Sequence, residues 1–341
     1  MPKSAGMVRL LWAACALTCL LLTLAPVGAA DGGWGFIDKS GQLRIPATYE
    51  QAGSFHEGLA RVKLGGKWGY VDKQGKQVIG PRFEEADDFH EGLARVKLGG
   101  KWGYVNARDS MEVPAELRES NSDAAWFSQG LAPAPLKGGW GFIDRSGRIA
   151  IEGQWEAARP FEGDRAPVRL TGLWGFIQKD GAYLIMPSEP TESDFHNGLA
   201  RVKRKGRWGY IALNGQLAIL PEYDEAEPFS EALAAVTLKH GWGYISVTGR
   251  VVIDGHFERA QPFSQGRAAV RSQGGWGYID KSGKAVGEAH YQEAGLFSAD
   301  GLAMVRVDDH WGYIDVNGQS VVKPSYREAA AFSEGLAAVR P

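Results

Sequence analysis

Cysteine is almost absent: 341 residues contain two, Cys15 and Cys19, both near the start of the chain. Neither has the preceding residues of a lipoprotein cleavage site, since Trp12 stands three positions before Cys15 and Ala16 three before Cys19. Beyond residue 30 there is no thiol for a disulfide, a nucleophile or a metal site, so packing alone must hold the fold. A basic excess is lacking as well. Lys and Arg number 38 against 40 Asp and Glu, a formal charge of -2, and they are scattered along the chain. That balance argues against a nucleic-acid partner, which needs clustered positive charge to meet phosphates. No G-x-S-x-G nucleophile elbow occurs. The uncharged apolar run Leu10 to Leu24 falls short of the roughly 20 residues of a membrane span.

That run reads instead as the core of a secretory signal. Lys3 and Arg9 precede it, Pro26 breaks it, and Val27-Gly28-Ala29-Ala30 supplies small residues for cleavage. The expected organisation is a signal peptide over 1-30 and a single β domain over 31-341, exported to the periplasm or beyond the cell, with no membrane span after cleavage. Without Lys3 and Arg9 the basic count falls from 38 to 36 against 40 acidic residues, a mildly acidic mature chain.

Glycine (46) and tryptophan (12) are abundant, which fits short strands and tight turns better than helices. The seventeen residues Phe55 to Val71 recur unchanged as Phe89 to Val105. The Trp-Gly pair extends this period along the chain, at Trp34, Trp68, Trp102, Trp140, Trp174, Trp208, Trp242, Trp276 and Trp311, with spacings of 34, 34, 38, 34, 34, 34, 34 and 35. A glycine follows each Trp by seven positions, from Gly41 to Gly318, except at Asp109. A phenylalanine closes every unit, from Phe55 to Phe332. Nine in-phase copies mean a repeat architecture in which no single unit is stable by itself.

The pattern, W-G-[YF]-I-D-K-x-G followed by an aromatic and F-x-E-G-L-A-x-V, resembles the WG-repeat (KWG-repeat) family, found mainly in bacterial proteins. The resemblance implies an all-β repeat domain, usually without a defined activity, and transfers no catalytic residue. The residues support the same fold class. Asp72-Lys73-Gln74-Gly75 and its equivalents read as hairpin turns with a left-handed glycine. They link strands such as Trp68-Gly69-Tyr70-Val71 and Lys76-Gln77-Val78-Ile79, and Leu59 to Lys63 supplies a third. The expectation is an antiparallel meander of three strands, with Tyr49 to Phe55 as a short fourth or a loop. Each Trp is expected to fill space between units, and Gly69 to let a neighbouring sheet approach.

Such units stack as a propeller-like ring or as an open β-solenoid array. The last residues, Leu336 to Arg340, form the strand that the first Trp-Gly unit lacks, which favours a ring in which the two ends share a sheet and leave no unpaired edge. Nine exceeds the usual four to eight blades. Two units are irregular: four extra residues fall between Leu117 and Phe127, and Glu189-Pro190 stands where the fifth unit should carry its aromatic.

Candidate chemistry is sparse. His56, His90 and His196 share one repeat position, but a sheet spacing near 10 Å would hold equivalent residues too far apart for one metal. His56-Glu57-Gly58-Leu59-Ala60 lacks the second histidine of a zinc-protease helix. Gly65-Gly66-Lys67 lacks the hydroxyl residue and helix of a phosphate loop. Asp87-Asp88, Glu84-Glu85 and Asp308-Asp309 are adjacent pairs, which point to opposite faces of a strand. The sequence therefore suggests no catalytic, metal or cofactor residues. The partner it suggests is a protein, with a glycan held on exposed rings such as Trp126 or Trp155 as the alternative.

Overall fold

In a computed structural model, residues 32–118, 125–189 and 194–341 are described. The expected export signal falls outside these residues. No helix of the described residues is long and apolar enough to cross a membrane. The chain forms nine small antiparallel sheets arranged in a ring, a nine-bladed β-propeller. Among the described residues seven blades have four strands and two have three. The segment expected as a short strand or loop is a strand in blade 2. That blade runs in order through strand a (Gln51–His56), b (Leu59–Leu64), c (Lys67–Asp72) and d (Gln77–Phe83).

The ring closes through blade 1, which takes strands a and b from Glu328–Ala329 and Leu336–Arg340 and strands c and d from Trp34–Asp38 and Leu43–Tyr49. Gly35 pairs with Val339 and Asp38 with Leu336 across the seam. The propeller, not the open array, is the architecture. Shared strands remove the unpaired edges that an array would expose.

Why glycine must follow tryptophan is answered inside each sheet. Pairing of strands c and d shifts register between Trp68 and Tyr70 and again between Tyr70 and Val71. These bulges push the strand d backbone onto Gly69, where an added Cβ would stand 2.5 Å from the Ile79 carbonyl oxygen. The intruder is therefore the next strand of the same sheet, not a neighbouring sheet. At the turn, Gly75 has φ +77 and lies against Ile45 of the preceding blade, so an L-residue would be opposed there by both backbone and space.

The junctions between blades are filled chiefly by the aromatic two positions after each Trp. Its ring meets the closing Phe of the next blade at every junction, from Phe36–Phe55 through Tyr70–Phe89 to Tyr313–Phe332, with centroids 4.7 to 5.0 Å apart. Where that residue is tyrosine, its hydroxyl donates to a backbone carbonyl of the next blade, as from Tyr70 to Asp87 at 2.7 Å and from Tyr244 to Gln261 at 2.8 Å. Burial pushes these phenols well above their ordinary pKa.

The signature tryptophans are less enclosed than expected. Trp102, Trp174 and Trp242 are buried, while Trp34, Trp68, Trp140, Trp208, Trp276 and Trp311 are half-buried. Basic side chains of strand b cover several of them, with Arg201 and Lys203 5.1 and 5.2 Å from the Trp208 ring. This apportions the work: tyrosine or phenylalanine seals the junction, and tryptophan covers the sheet under a cation.

A second belt of contacts is polar. At five hairpins between strands a and b an acidic residue, Glu57, Glu91, Glu231, Asp300 or Glu334, accepts from a backbone amide of the next blade. Glu57 accepts from the Gly92 amide at 2.7 Å, Glu231 from Gly266 at 3.0 Å and Glu334 from Gly58 at 3.0 Å. Lysines of the Asp-Lys turns complete it, with Lys73 3.0 Å from Glu334 and Lys39 2.8 Å from Asp300. Partial burial opposes ionisation of Asp300 and Glu334, but the hydrogen bonds from Lys39 and Lys73 and from backbone amides outweigh it and hold both carboxyls below their usual range.

Two outcomes follow from these junctions. Tyr244→Ala should cost about 3 to 5 kcal/mol, whereas Trp208→Ala should cost about 1 to 2 kcal/mol because its ring is less completely buried; urea midpoints of the two variants rank them. Carboxyls depressed in the folded state stabilise above their unfolded pKa, 3.8 for Asp and 4.5 for Glu, and that stability disappears as pH falls through the lower folded values. Thermal midpoints should hold level from pH 7 to about pH 5 and then fall, less steeply in Asp300→Asn.

Candidate ligand surfaces

Blades converge toward their first strands, and this brings side chains together that the sheet spacing alone would separate. His56 and His90 lie at the ends of strands a of blades 2 and 3, each just before a two-residue turn with both φ positive, Glu57-Gly58 and Glu91-Gly92. Their ring centroids are 5.7 Å apart, not the expected ten. Trp126, from the next unit, continues the stack at 5.2 Å from His90 with the planes inclined by 26°. The third histidine of this repeat position, His196, lies on blade 6, two blades beyond Trp126 and apart from that stack.

Charged groups bracket the stack. Asp88 forms an ion pair with Arg61 at 3.1 Å and stands 3.5 Å from His56 Nε2. Asp87 holds the buried Arg95 at 2.6 Å, and that guanidinium lies 4.2 Å from the Trp102 ring centre. The Asp87-Asp88 pair thus serves two arginines on successive blades. Burial, followed by the charge of His56, pushes the His90 imidazole below its ordinary pKa, although Asp88 pulls the other way. An open cleft of about 480 Å³ adjoins Trp126, bordered by Ser128, Arg159, Phe161, Glu162 and Asp194.

The two rings named as glycan platforms fare differently. Trp126 is 36% exposed. Trp155 is buried at 1% exposure, packs against Phe142 and donates from Nε1 to the Tyr183 hydroxyl at 3.0 Å, so it cannot form a platform. It occupies the core because its strand d pairs Trp155 directly with Trp140 on strand c.

A second surface lies on the outer rim. Leu220 and Met186 are the most exposed large apolar side chains among the described residues, at 67% and 64%. They occupy the same repeat position on strands d of consecutive blades, Tyr183–Glu189 and Leu217–Tyr223. Other blades put Pro46, Gly80, Pro114, Glu152, Asp254, Glu288 or Lys323 there. Leu213 and Leu217, also exposed, lie in the same part of the chain as Leu220. Composition alone hides this surface, but aligning the nine units would have revealed the apolar pair.

The WG containing repeat family matches residues 34–68, 68–102, 140–174, 208–239, 242–275, 276–309 and 311–340, and the chain belongs to that family. The two intervening stretches contain the irregular units noted above. No curated protein matches. Among solved structures, a eukaryotic initiation factor aligns over 85% of this chain and 95% of its own at 11% identity and a TM-score of 0.58, a likeness of fold. PorZ, a surface component of the type-IX secretion system of Porphyromonas gingivalis, aligns over 85% of this chain at 10% identity and a TM-score of 0.33. An extracellular domain of a hybrid two-component system of B. thetaiotaomicron aligns over 84% at 11% identity and 0.26. The alignments take in 48% and 52% of those two chains.

The imidazole pair gives a direct measurement. His90 should titrate below 6.5 by NMR, and His56→Ala should move its midpoint upward by removing the neighbouring charge.

Proposed function

We propose that this protein is a non-enzymatic scaffold, exported to the bacterial envelope or beyond it, that holds a partner protein on its outer rim. The observation that carries the reading is the exposure of Met186 and Leu220 at one repeat position of consecutive blades. Exposed large apolar groups concentrated on one sector of a surface are typical of interaction sites. Repetition supports the same reading, because a ring of similar blades offers many near-equivalent surfaces whose differences select the partner. Export rests on Lys3, Arg9, the run Leu10 to Leu24 and the small residues to Ala30.

A second reading, glycan or peptidoglycan binding, is favoured by Trp126. One face of its indole is stacked on His90, and the residue borders a cleft that also contains Arg159, Glu162 and Asp194. An aromatic face beside charged hydrogen-bonding groups suits a sugar ring.

One experiment separates the readings. Crosslinking in intact cells should give a discrete adduct from the wild-type protein that Met186→Glu/Leu220→Glu loses and Trp126→Ala keeps. Retention on insoluble peptidoglycan that depends on Trp126 alone would instead establish the glycan reading. An adduct pattern unchanged by the rim substitutions would overturn the protein-docking proposal.

A further inference from the structure

Blade 8 breaks the repeat at one buried position. Four residues after the turn glycine, or after Asp109 in blade 3, the other blades carry Ile45, Ile79, Val113, Ile151, Ile185, Ile219, Ile253 and Val322, all buried. Blade 8 has Gly287. Its strand d, Ala285–Tyr291, consequently pairs differently. Tyr278 faces Val286, where the preceding blade sets Tyr244 opposite Ile253, and only one of the two register shifts remains. The surplus residue is taken up between Val286 and Tyr291, where Gly287 has φ +68 and His290 has φ +98. A positive φ at a non-glycine residue outside a turn is a strained conformation that its surroundings must enforce.

The displaced strand leaves a cavity of about 240 Å³ between blades 7 and 8. Its walls include Phe257, Val270, Tyr278 and Val286, and its lining is mainly apolar. Gly275 and Gly277, two apart on strand c, share one face of that strand. Backbone of strand d covers Gly275, where an added Cβ would stand 2.7 Å from the Tyr291 carbonyl oxygen, so the free space lies along the apolar side chains. The volume corresponds to roughly eight waters, which suits one aromatic ring with a short side chain. Among the described lining residues Glu288 alone is formally charged at neutral pH, and none is Lys or Arg.

We propose that this cavity is a binding site for a small aromatic amine. The ring lies among Phe257, Val270, Tyr278 and Val286, and the ammonium meets the Glu288 carboxylate. An apolar slot with one carboxylate in its lining selects for such a molecule, because the same slot would leave the carboxylate of an aromatic acid facing a like charge. The site is separate from both the outer-rim surface of blades 5 and 6 and the stack at Trp126.

Calorimetry with tyramine and with 4-ethylphenol, which keeps the ring but lacks the ammonium, tests the assignment. The wild-type protein should bind tyramine saturably and at least about tenfold more tightly than 4-ethylphenol, as expected for a charge-assisted contact. Glu288→Gln should remove that preference while leaving 4-ethylphenol affinity unchanged. Ser272→Trp, at an exposed lining position where a large side chain need not disturb packing, should abolish binding of both, with an unchanged near-ultraviolet spectrum reporting an intact fold. Absence of saturable tyramine binding at millimolar concentration would overturn the proposal. So would equal affinities of the wild type and Glu288→Gln for tyramine, or undiminished binding in folded Ser272→Trp.

Discussion

One contact recurs at every boundary of this ring: the aromatic two residues beyond the tryptophan packs edge-on or tilted against the phenylalanine that closes the next unit. The geometry is demanding. With centroids near 5 Å the quadrupoles of the two rings attract, and each ring also buries a large apolar area. In six of the nine pairs the phenol adds a hydrogen bond to the neighbouring backbone. Blade angle is thereby fixed from both sides of the interface, by ring contact and by a directional bond. The alternation of strands then fixes the rest: what faces the junction cannot also face solvent.

The polar belt acts on the same interfaces from the hairpin side. Carboxylates of one blade satisfy amides of the tight turns of the next, groups whose partners would otherwise be water. Serine hydroxyls following the closing phenylalanine do similar work, Ser264 donating to the Phe297 carbonyl and Ser333 to that of Phe55 at 2.6 Å. Apolar and polar contacts thus lie at different depths of one wedge.

Much of this was legible beforehand. The nine units, the all-β class, the left-handed turn glycines and the split unit that closes the ring are all periodic features, and periodicity is what one sequence displays best. The function of Gly69 was not legible, because alternation describes an ideal strand and a bulge violates it. Burial of Trp155 follows the in-phase series it shares with Phe83 and Phe257, which favours core packing over a platform. The distance between His56 and His90 was misjudged for a geometric reason: a sheet spacing is an average over parallel layers, whereas wedge-shaped packing narrows toward the axis. Gly287 stood in plain view as a departure from the unit, yet the cavity that accompanies it exists only because the strand re-registers around it.

The seam in blade 1 has a topological consequence. Because Leu336–Arg340 and Trp34–Asp38 pair as strands b and c do elsewhere in the ring, the described strands run as a closed circle in which blade 1 alone has its b and c strands unconnected by a hairpin. A chain joined there and cut in another b–c hairpin would present the same contacts in the same order. What distinguishes blade 1 is therefore sequence separation: it alone joins the earliest and the latest described strands, so its pairing closes the longest loop in the ring.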